Sequence, residues 1–408
     1  MHPDQLILHH DRWSELAPNA HLDAIDQDRL HEWHLHRLRE QLHKHQCAAL
    51  MLVSPISLRY AFDYRTYSLF QSHIPTTYGV IGQTGKPVLF NAYGPLPDKA
   101  ESHRGHPNSF FDGGNRISEY ATQIASDLVA YLQKTGTDCR RIALEYVNPS
   151  LTLALDRLGF EVIDGVKLAE MARIIKSPDE IACMHWACAV AEHAIETMRA
   201  AIRPGVSELQ LWGILNYTNL ANQGDWHEGR MLASGPRINP WLQEATVRKL
   251  ESGDLVGFDT DMVGPFGYCA DISRTFHCGP AQPTKRQKQL HQLAIAEVEY
   301  NIALLRPGLS FEALREQAFK QDECYHQNAY HCVLHGVGMC DEYPQIVQPF
   351  FGPQPYDGTL EAGMVVCVES YVGAVGEHDG IKHEEQVLIT DEGTKRISTC
   401  PLDPRLLD

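Results

Sequence analysis

The sequence predicts a protein of the α/β class that is built from two domains. A chain of 408 residues is long for a single hydrophobic core, so two domains are the prior expectation. Strand and helix patterns alternate over residues 20 to 170, which is typical of an α/β domain. Further along, a helix that ends in Pro-Gly and is followed by a short capped helix occurs twice, which hints at a duplicated α/β core.

The boundary between the two domains is predicted near residue 170. Ser177 can cap a helix, Pro178 suits the first helical position, and Glu180 completes a capping box. We therefore expect an N-terminal domain over residues 1–170 and a second domain over residues 171–408.

The elements of the first domain follow from hydrophobic periodicity. Leucines at helical spacing predict a helix over residues 22–46, and an amphipathic pattern predicts another over residues 117–134. Short apolar runs bounded by turn residues predict strands. These strands cover residues 47–54, 77–81, 88–90 and 141–145.

In the second domain, long helices are predicted from residue 178 to about 202 and from 284 to 304, with short capped helices after Ser207 and Ser310. Apolar strand patterns follow near the C-terminus. They cover residues 363–370 and 380–390.

Bulk composition excludes several classes of protein. The formal net charge is −17 and no basic patch is visible, so we expect no nucleic-acid partner. No apolar run is long enough for a membrane span. The 11 cysteines are odd in number and form no Cys-x-x-Cys pair, which favours reduced thiols. Since the N-terminus also lacks a signal pattern, a cytoplasmic location is expected.

The most informative segment is residues 256–276, which contains Asp259, Asp261 and Asp271. Two apolar-rich strand patterns flank a Gly-Pro-Phe-Gly turn at residues 264–267, which predicts a β-hairpin. Because strand side chains alternate between faces, Asp259 and Asp261 are expected to point the same way, with Asp271 facing them from the returning strand. Three adjacent carboxylates repel one another, and a bound divalent cation is the usual remedy.

Three further segments contain candidate metal ligands. His335 stands beside a Gly-x-Gly turn, Glu369 ends a predicted strand, and Glu384 and Glu385 lie in the next strand. Taken singly, a histidine before glycine is commonly a loop residue and a glutamate at a strand end is commonly solvated. Their order along the chain, however, makes the three segments informative when they are taken together.

An aspartate-rich hairpin, a His-Gly-x-Gly segment and two strand glutamates, in this order, resemble the pita-bread metalloenzymes. This superfamily includes methionine aminopeptidase, aminopeptidase P, prolidase and creatinase. The motif Gly267-Tyr-x-x-Asp-Ile-x-Arg-Thr-Phe276 is a specific part of the resemblance, which covers about residues 165–408. The first domain resembles the N-terminal domain of creatinase and prolidase.

The resemblance implies a metal site. The family's metal ligands match Asp271, His335, Glu369 and Glu384. Glu384 is preferred to Glu385 because of its distance to the following Val-Leu-Ile-Thr. The first family aspartate corresponds to Asp259 or Asp261, and both together would give five carboxylates and one imidazole. Such a set implies one or two divalent cations, with iron as the first expectation and manganese or zinc as the alternatives.

The chain departs from the peptidases at two imidazoles that handle substrate. Trp241 stands where one peptidase histidine is expected, and the segment that holds the other contains Asp341 and Glu342, whereas His331 matches a peptidase histidine. The missing imidazoles would shuttle protons and stabilise an oxyanion in peptide hydrolysis. These departures resemble dimethylsulfoniopropionate (DMSP) lyases of the DddP type, in which the same scaffold performs β-elimination.

This second resemblance implies that the chain cleaves DMSP, a small zwitterion, to dimethyl sulfide and acrylate. It implies that Asp341 is the catalytic base and that Tyr330 lines the pocket. A sulfonium cation is attracted to aromatic faces, so Trp241 and Trp226 are further candidates for substrate binding, together with His331.

Two alternatives remain open. A Xaa-Pro peptidase or a creatinase-like hydrolase would use the same metal set and His331. A non-catalytic binding module would have no need of six candidate ligands. Because creatinase-like proteins are commonly homodimers, the resemblance also implies a homodimer.

Overall fold

The computed structural model describes residues 24–65, 67–93, 99–103 and 113–407. These residues form two compact units. The first runs from Asp26 to Arg173, and the second contains the residues from Ile174 onward together with residues 24 and 25. Helices and strands are both present throughout, which confirms the predicted α/β class.

The N-terminal unit is built on a mixed sheet of six described strands. In chain order the elements are α1 (Gln27–Lys44), β1 (Ala49–Leu52), α2 (Pro55–Phe62), α3 (Ser68–His73), β2 (Tyr78–Gly82), β3 (Val88–Phe90), β4 (Glu101–His103), α4 (Ile117–Thr135), β5 (Arg141–Leu144), α5 (Pro149–Arg157), β6 (Glu161–Asp164) and α6 (Val166–Arg173). The spatial order of the strands is β4-β3-β2-β1-β5-β6. The central strand β1 pairs antiparallel with β2 and parallel with β5.

Local capping explains where the helices of this unit begin and end. Asp26 precedes α1, and its carboxylate accepts hydrogen bonds from the backbone N–H groups of Asp28 and Arg29. Helix α4 ends at Gly136, whose φ of 72° is the left-handed conformation that glycine adopts without penalty. The predicted helices and strands of this domain are confirmed, with ends that differ by a few residues.

The C-terminal unit contains three sheets among its described residues. In chain order the elements are α7 (Pro178–Ala201), α8 (Glu208–Ala221), β7 (Trp226–His227), β8 (Leu232–Ser234), β9 (Leu255–Asp259), β10 (Met262–Val263), β11 (Cys269–Ala270), β12 (Ser273–His277), α9 (Lys285–Leu304), α10 (Phe311–Gln317), α11 (Glu323–His326), β13 (Cys332–Val337), β14 (Asp341–Val347), β15 (Val365–Val372), β16 (Ile381–Thr390) and β17 (Gly393–Arg396). The strand orders of the three sheets are β14-β13-β15-β16-β17, β12-β9-β8 and β11-β10-β7.

The repeated helix, Pro-Gly, helix pattern is confirmed in this unit. Ser177 forms the predicted capping box at the start of α7, and Ser207 forms another at the start of α8. The glycines that follow α7 and α9, Gly205 and Gly308, have φ angles of 88° and 81°. Helix α8 spans 14 residues and is longer than the short helix expected.

The aspartate-rich segment folds back on itself, but its outgoing strand is interrupted. Strand β9 ends at Asp259, which lies opposite Ser273 of β12. The backbone at Asp261 has a φ of 35°, after which β10 pairs with β11. The three aspartates come together as expected. Strand alternation is not the reason, because the left-handed backbone at Asp261 interrupts the strand that the sequence predicts.

Two further expectations about local structure are wrong. His335 lies within β13 rather than beside a turn, and Glu369 lies inside β15 rather than at its end. The glycine after His335 serves close packing instead of a turn. A Cβ atom at Gly336 would lie 2.4 Å from the carbonyl oxygen of Tyr343 in the neighbouring strand, so only glycine fits there.

The structure also shows the state of the cysteines and the character of the helices. All 11 cysteines are described, and none is in a disulfide bond. Among the helices in the described ranges, none combines the length and the apolar character needed to cross a bilayer.

Glu297 of α9 is a buried carboxylate that contacts three neutral donors. It accepts hydrogen bonds from Ser370 Oγ at 2.6 Å, Gln321 Nε2 at 2.5 Å and Gln348 Nε2 at 3.3 Å. Burial outweighs these bonds and raises the pKa of Glu297 to about 7. Because the folded pKa exceeds the unfolded one, this group stabilises the fold at low pH, and the contribution is lost as pH rises through 7.

We therefore expect Glu297→Gln to flatten the dependence of stability on pH. Between pH 5 and pH 8 the free energy of unfolding of the native protein should fall relative to that of the variant by at most about 3 kcal/mol. Urea denaturation at both pH values measures this difference. Glu299→Gln, at an exposed position of the same helix, is the control and should keep the native slope. Equal slopes for native protein and Glu297→Gln would contradict the prediction.

Candidate metal and substrate site

Three adjacent strands of the five-stranded sheet present a row of buried polar side chains. His335 of β13 lies opposite Cys367 of β15, and Glu369 of β15 lies opposite Glu384 of β16. Because strand side chains alternate, Cys367 shares a face with Glu369, and Lys382 shares a face with Glu384. All five side chains are buried.

The imidazole of His335 lies among carboxylates. Its Nε2 is 3.3 Å from Glu369 Oε1, 3.4 Å from Asp271 Oδ2 and 4.0 Å from Glu384 Oε1. Its Nδ1 is 3.0 Å from the carbonyl oxygen of Gly336. A proton on Nδ1 would donate to that carbonyl and leave the Nε2 lone pair directed at the carboxylates, which is the arrangement of a metal-binding histidine.

The three aspartates complete the cluster. Asp259, Asp261 and Asp271 each have a carboxylate oxygen within 4.8 Å of the other two. Asp259 is also within 4.8 Å of Glu369 and Glu384. The structure thus brings the six predicted ligands together and leaves both Asp259 and Asp261 within reach of one ion.

The electrostatics of the cluster are dominated by burial and like charge. Burial, followed by the Glu384 carboxylate, raises the pKa of Asp271 well above its usual value. The same two causes raise the pKa of Glu369 to about 7. Burial also opposes ionisation of Glu384, but Lys382 and His335 together outweigh it and lower the pKa of Glu384 to about 2. Such a set of buried carboxylates needs cations.

The donor set fits a divalent metal ion. Four buried carboxylate oxygens have no hydrogen-bond partner among the described residues: Asp259 Oδ1, Asp271 Oδ1, Glu369 Oε1 and Glu384 Oε1. Buried acceptors without partners are costly, and a cation is the partner that several of them can share. Carboxylate oxygens with one imidazole suit hard and borderline divalent ions.

A buried lysine, which the sequence did not single out, lies against this cluster. The Nζ of Lys382 is 2.5 Å from Glu369, 3.1 Å from Asp259 and 3.3 Å from Glu384. It also lies 4.6 Å from the centre of the Tyr330 ring. Burial disfavours its charged form, but the three carboxylates prevail and raise the pKa of Lys382 well above its usual value.

A cavity of 310 Å³ adjoins the cluster. Its lining includes Trp241, Tyr330, His331, His335, Asp341 and Phe351. Asp341 opens β14, and its side chain is 62% exposed, with Oδ1 3.7 Å from His335 Nδ1. The predicted base is therefore a solvent-accessible carboxylate at the edge of the candidate metal ligands.

Aromatic rings form part of the cavity wall. Trp241 is buried and stacks on Tyr371 with 6.1 Å between ring centroids. Its indole N–H has no hydrogen-bond partner in the described part of the chain. His331 is exposed and stacks on Phe351 at 5.7 Å. Trp241, Tyr330 and His331, three of the four predicted substrate-binding residues, thus line one cavity.

Trp226, the fourth, lies on β7 and has a different contact. Its indole N–H donates to Glu228 Oε1 at 3.0 Å. Burial, followed by the Asp341 carboxylate, raises the pKa of Glu228. Trp226 is not among the residues that line the 310 Å³ cavity, so a contact with substrate stays a prediction.

Two acidic neighbours of site residues form ion pairs elsewhere. Glu342 forms a buried ion pair with Lys176 at 2.9 Å. Glu385 pairs with Arg274, from the hairpin motif, at 2.7 Å. In each pair of consecutive carboxylates, only the first residue is directed to the site.

With this geometry established, comparisons with known proteins identify the family. Residues 182–391, just over half of the chain, match metallopeptidase family M24. The chain belongs to metallopeptidase family M24. This match confirms the predicted superfamily and indicates that the protein is a metal-dependent enzyme.

Similar proteins within this family include lyases. The dimethylsulfoniopropionate lyase DddP of Roseovarius nubinhibens is 34% identical over 402 residues, which cover 95% of this chain and 90% of the relative. The dimethylsulfoniopropionate lyase DddP of Roseobacter denitrificans is 33% identical with the same coverage. A solved Xaa-Pro dipeptidase from Bacillus anthracis matches 91% of this chain and 98% of its own, with a TM-score of 0.71 and 21% identity. This last similarity shows the pita-bread fold alone.

Proposed function

We propose that this M24 protein is a metal-dependent lyase that cleaves DMSP to dimethyl sulfide and acrylate. The observation that carries the proposal is Asp341, an exposed carboxylate in the cavity, 3.7 Å from His335. The similarity to two DMSP lyases over nearly the whole chain supports it.

The proposed substrate carries a carboxylate at one end and a sulfonium at the other. A divalent ion held by the predicted ligands would bind the substrate carboxylate and make the adjacent C–H bond more acidic. Asp341 would then accept the proton from that carbon. The C–H electron pair forms the C=C bond of acrylate while the C–S bond breaks, and sulfur keeps its electron pair as neutral dimethyl sulfide.

This elimination balances without an oxidant or a general acid. The leaving group departs uncharged, so the absence of the two peptidase imidazoles costs the reaction nothing. Asp341 then holds the proton, and its exposure lets the proton pass to solvent. The sulfonium is stabilised by the aromatic wall, where Trp241 and Tyr330 lie beside His331 and Phe351.

Hydrolysis of a Xaa-Pro peptide or a small amidino compound is the second candidate. It is favoured by the family and by His331, which lines the cavity. Against it, the segment in which the peptidases carry a further histidine contains Asp341 and Glu342 in this chain.

In the deciding assay, purified protein loaded with iron or manganese is incubated with DMSP in one vial and with a Xaa-Pro dipeptide in another. Chelator-treated protein is the control. Headspace dimethyl sulfide with equimolar acrylate, lost with the chelator, is the expected result. Dipeptide cleavage without dimethyl sulfide would replace the proposal by the hydrolase.

As part of this proposal, we infer that iron is the metal, that the protein is a homodimer, and that it acts in the cytoplasm. The oxygen-rich ligand set suits iron, and the free state of all 11 cysteines suits a reducing compartment. The homodimer rests on the resemblance to creatinase. Elemental analysis and light scattering measure the first two.

A further inference from the structure

The buried amine of Lys382 lies against three of the candidate metal ligands. A cation in this place has two possible meanings: it replaces a metal ion, or it accompanies one. These two alternatives differ in which carboxylate oxygens the ammonium contacts, so the observed contacts can be compared with each of them.

In each of the three carboxylates, one oxygen contacts the ammonium and the other does not. Lys382 Nζ contacts Asp259 Oδ2, Glu369 Oε2 and Glu384 Oε2. The other oxygens, Asp259 Oδ1, Glu369 Oε1 and Glu384 Oε1, are buried and accept no hydrogen bond from the described residues. Two of these, on Glu369 and Glu384, are the ones that approach His335 Nε2. An ammonium in place of the metal would occupy these inner oxygens too, whereas Lys382 leaves one free on every carboxylate.

Ser273 fixes the ammonium on its outer side. Lys382 Nζ donates to Ser273 Oγ at 2.7 Å, and Ser273 Oγ donates to Glu384 Oε2 at 2.7 Å. The Tyr330 ring lies 4.6 Å from the same nitrogen. These contacts hold the amine with no side-chain surface exposed, so its position does not depend on solvent.

We propose that Lys382 is a positioning residue that remains beside the metal. It binds the outer oxygens of Asp259, Glu369 and Glu384 and directs their inner oxygens at the metal. Five carboxylates carry five negative charges, which two divalent ions and one ammonium would neutralise. The inference rests on the proposed metal site but not on the proposed reaction.

The test measures metal rather than turnover. Native protein, Lys382→Arg and Lys382→Met are loaded with Mn²⁺ and titrated with a chelator, and the bound metal per chain is determined by elemental analysis. Lys382→Met should release its metal at a free-chelator concentration at least about 10-fold lower than the native protein, as for other residues that orient metal ligands. Lys382→Arg, which keeps the charge, should lie between the two. Lys395→Met, at an exposed position of β17, is the control and should behave as native.

Two results would overturn the inference. One is a folded Lys382→Met that keeps its metal as firmly as native protein. The other is a gain of one metal equivalent, which would mean that the lysine occupies a metal position. If Lys382→Met does not fold, Ser273→Ala takes its place; a several-fold loss of affinity supports the inference and native affinity refutes it. A native protein that binds no metal would instead refute the metal site itself, and with it the proposed function.

Discussion

Asp341→Asn is expected to lower the rate of dimethyl sulfide formation by about 10³-fold and to leave the metal content unchanged. General-base catalysis contributes about 10²- to 10⁴-fold, and asparagine has nearly the same shape but cannot accept the proton. Asp341 Oδ1 lies 3.7 Å from His335 Nδ1, and Asp341 has no predicted ligand role. Removal of its charge should therefore affect the chemical step far more than the metal.

The measurement compares kcat for DMSP and metal per chain in the native protein, Asp341→Asn and Asp357→Asn. Asp357 is an exposed carboxylate that does not line the cavity, so the same change there controls for the loss of one surface charge. Asp341→Glu moves the carboxylate by one methylene and should keep part of the rate. Native kcat in Asp341→Asn would remove Asp341 as the base.

The candidate ligands come from the family resemblance, and strand periodicity explains how the structure brings some of them together. Glu369 and Glu384 lie on long apolar strand patterns, and the structure places them directly opposite each other in adjacent strands. Local sequence indicates which residues of one strand share a face, but the register that pairs these two glutamates depends on contacts between the strands. Helix starts such as Ser177 could be predicted from local sequence, because the capping box involves only neighbouring residues.

The backbone of the aspartate hairpin could not be predicted in the same way. The sequence there alternates as a strand does, yet Asp261 has a φ of 35°. Aspartate is one of the few non-glycine residues that tolerate this region, so its presence is compatible with either conformation. Strand β10, which follows Asp261, pairs with β11 of the same hairpin and with β7, which lies much earlier in the chain. The backbone at Asp261 therefore depends on pairing that the local pattern does not contain.

Lys382 shows the same limit at the level of side chains. Its spacing of two residues from Glu384 was a usable signal, since both lie on one face of β16. A lysine on a strand is commonly solvated, however, and only its contacts with Ser273, 109 residues away, reveal its burial. The resemblance implies Asp341 as the base, and the ion pair of Glu342 with Lys176, 166 residues away, is a contact that the local sequence does not reveal.

Asp271→Asn is expected to reduce the bound metal and the activity together, by at least about 100-fold in metal affinity. Burial, followed by the neighbouring carboxylates, raises the pKa of Asp271 well above its usual value, so its charged form is unfavourable without a cation. The neutral amide removes this cost. In chelator, the variant should therefore be at least as stable as the native protein, whereas in excess metal it should be less stable.

This crossover separates a ligand from a merely structural residue. A 100-fold weaker metal affinity reduces the stabilisation by bound metal by about 2.7 kcal/mol, which thermal unfolding with and without Mn²⁺ would detect. If Asp271 served only packing, asparagine would lower both melting temperatures equally. Asp261→Asn is the matched comparison, because asparagine also accepts the left-handed backbone at that position. A similar crossover would make Asp261 a ligand beside Asp259, and native behaviour would leave Asp259 as the first aspartate of the site.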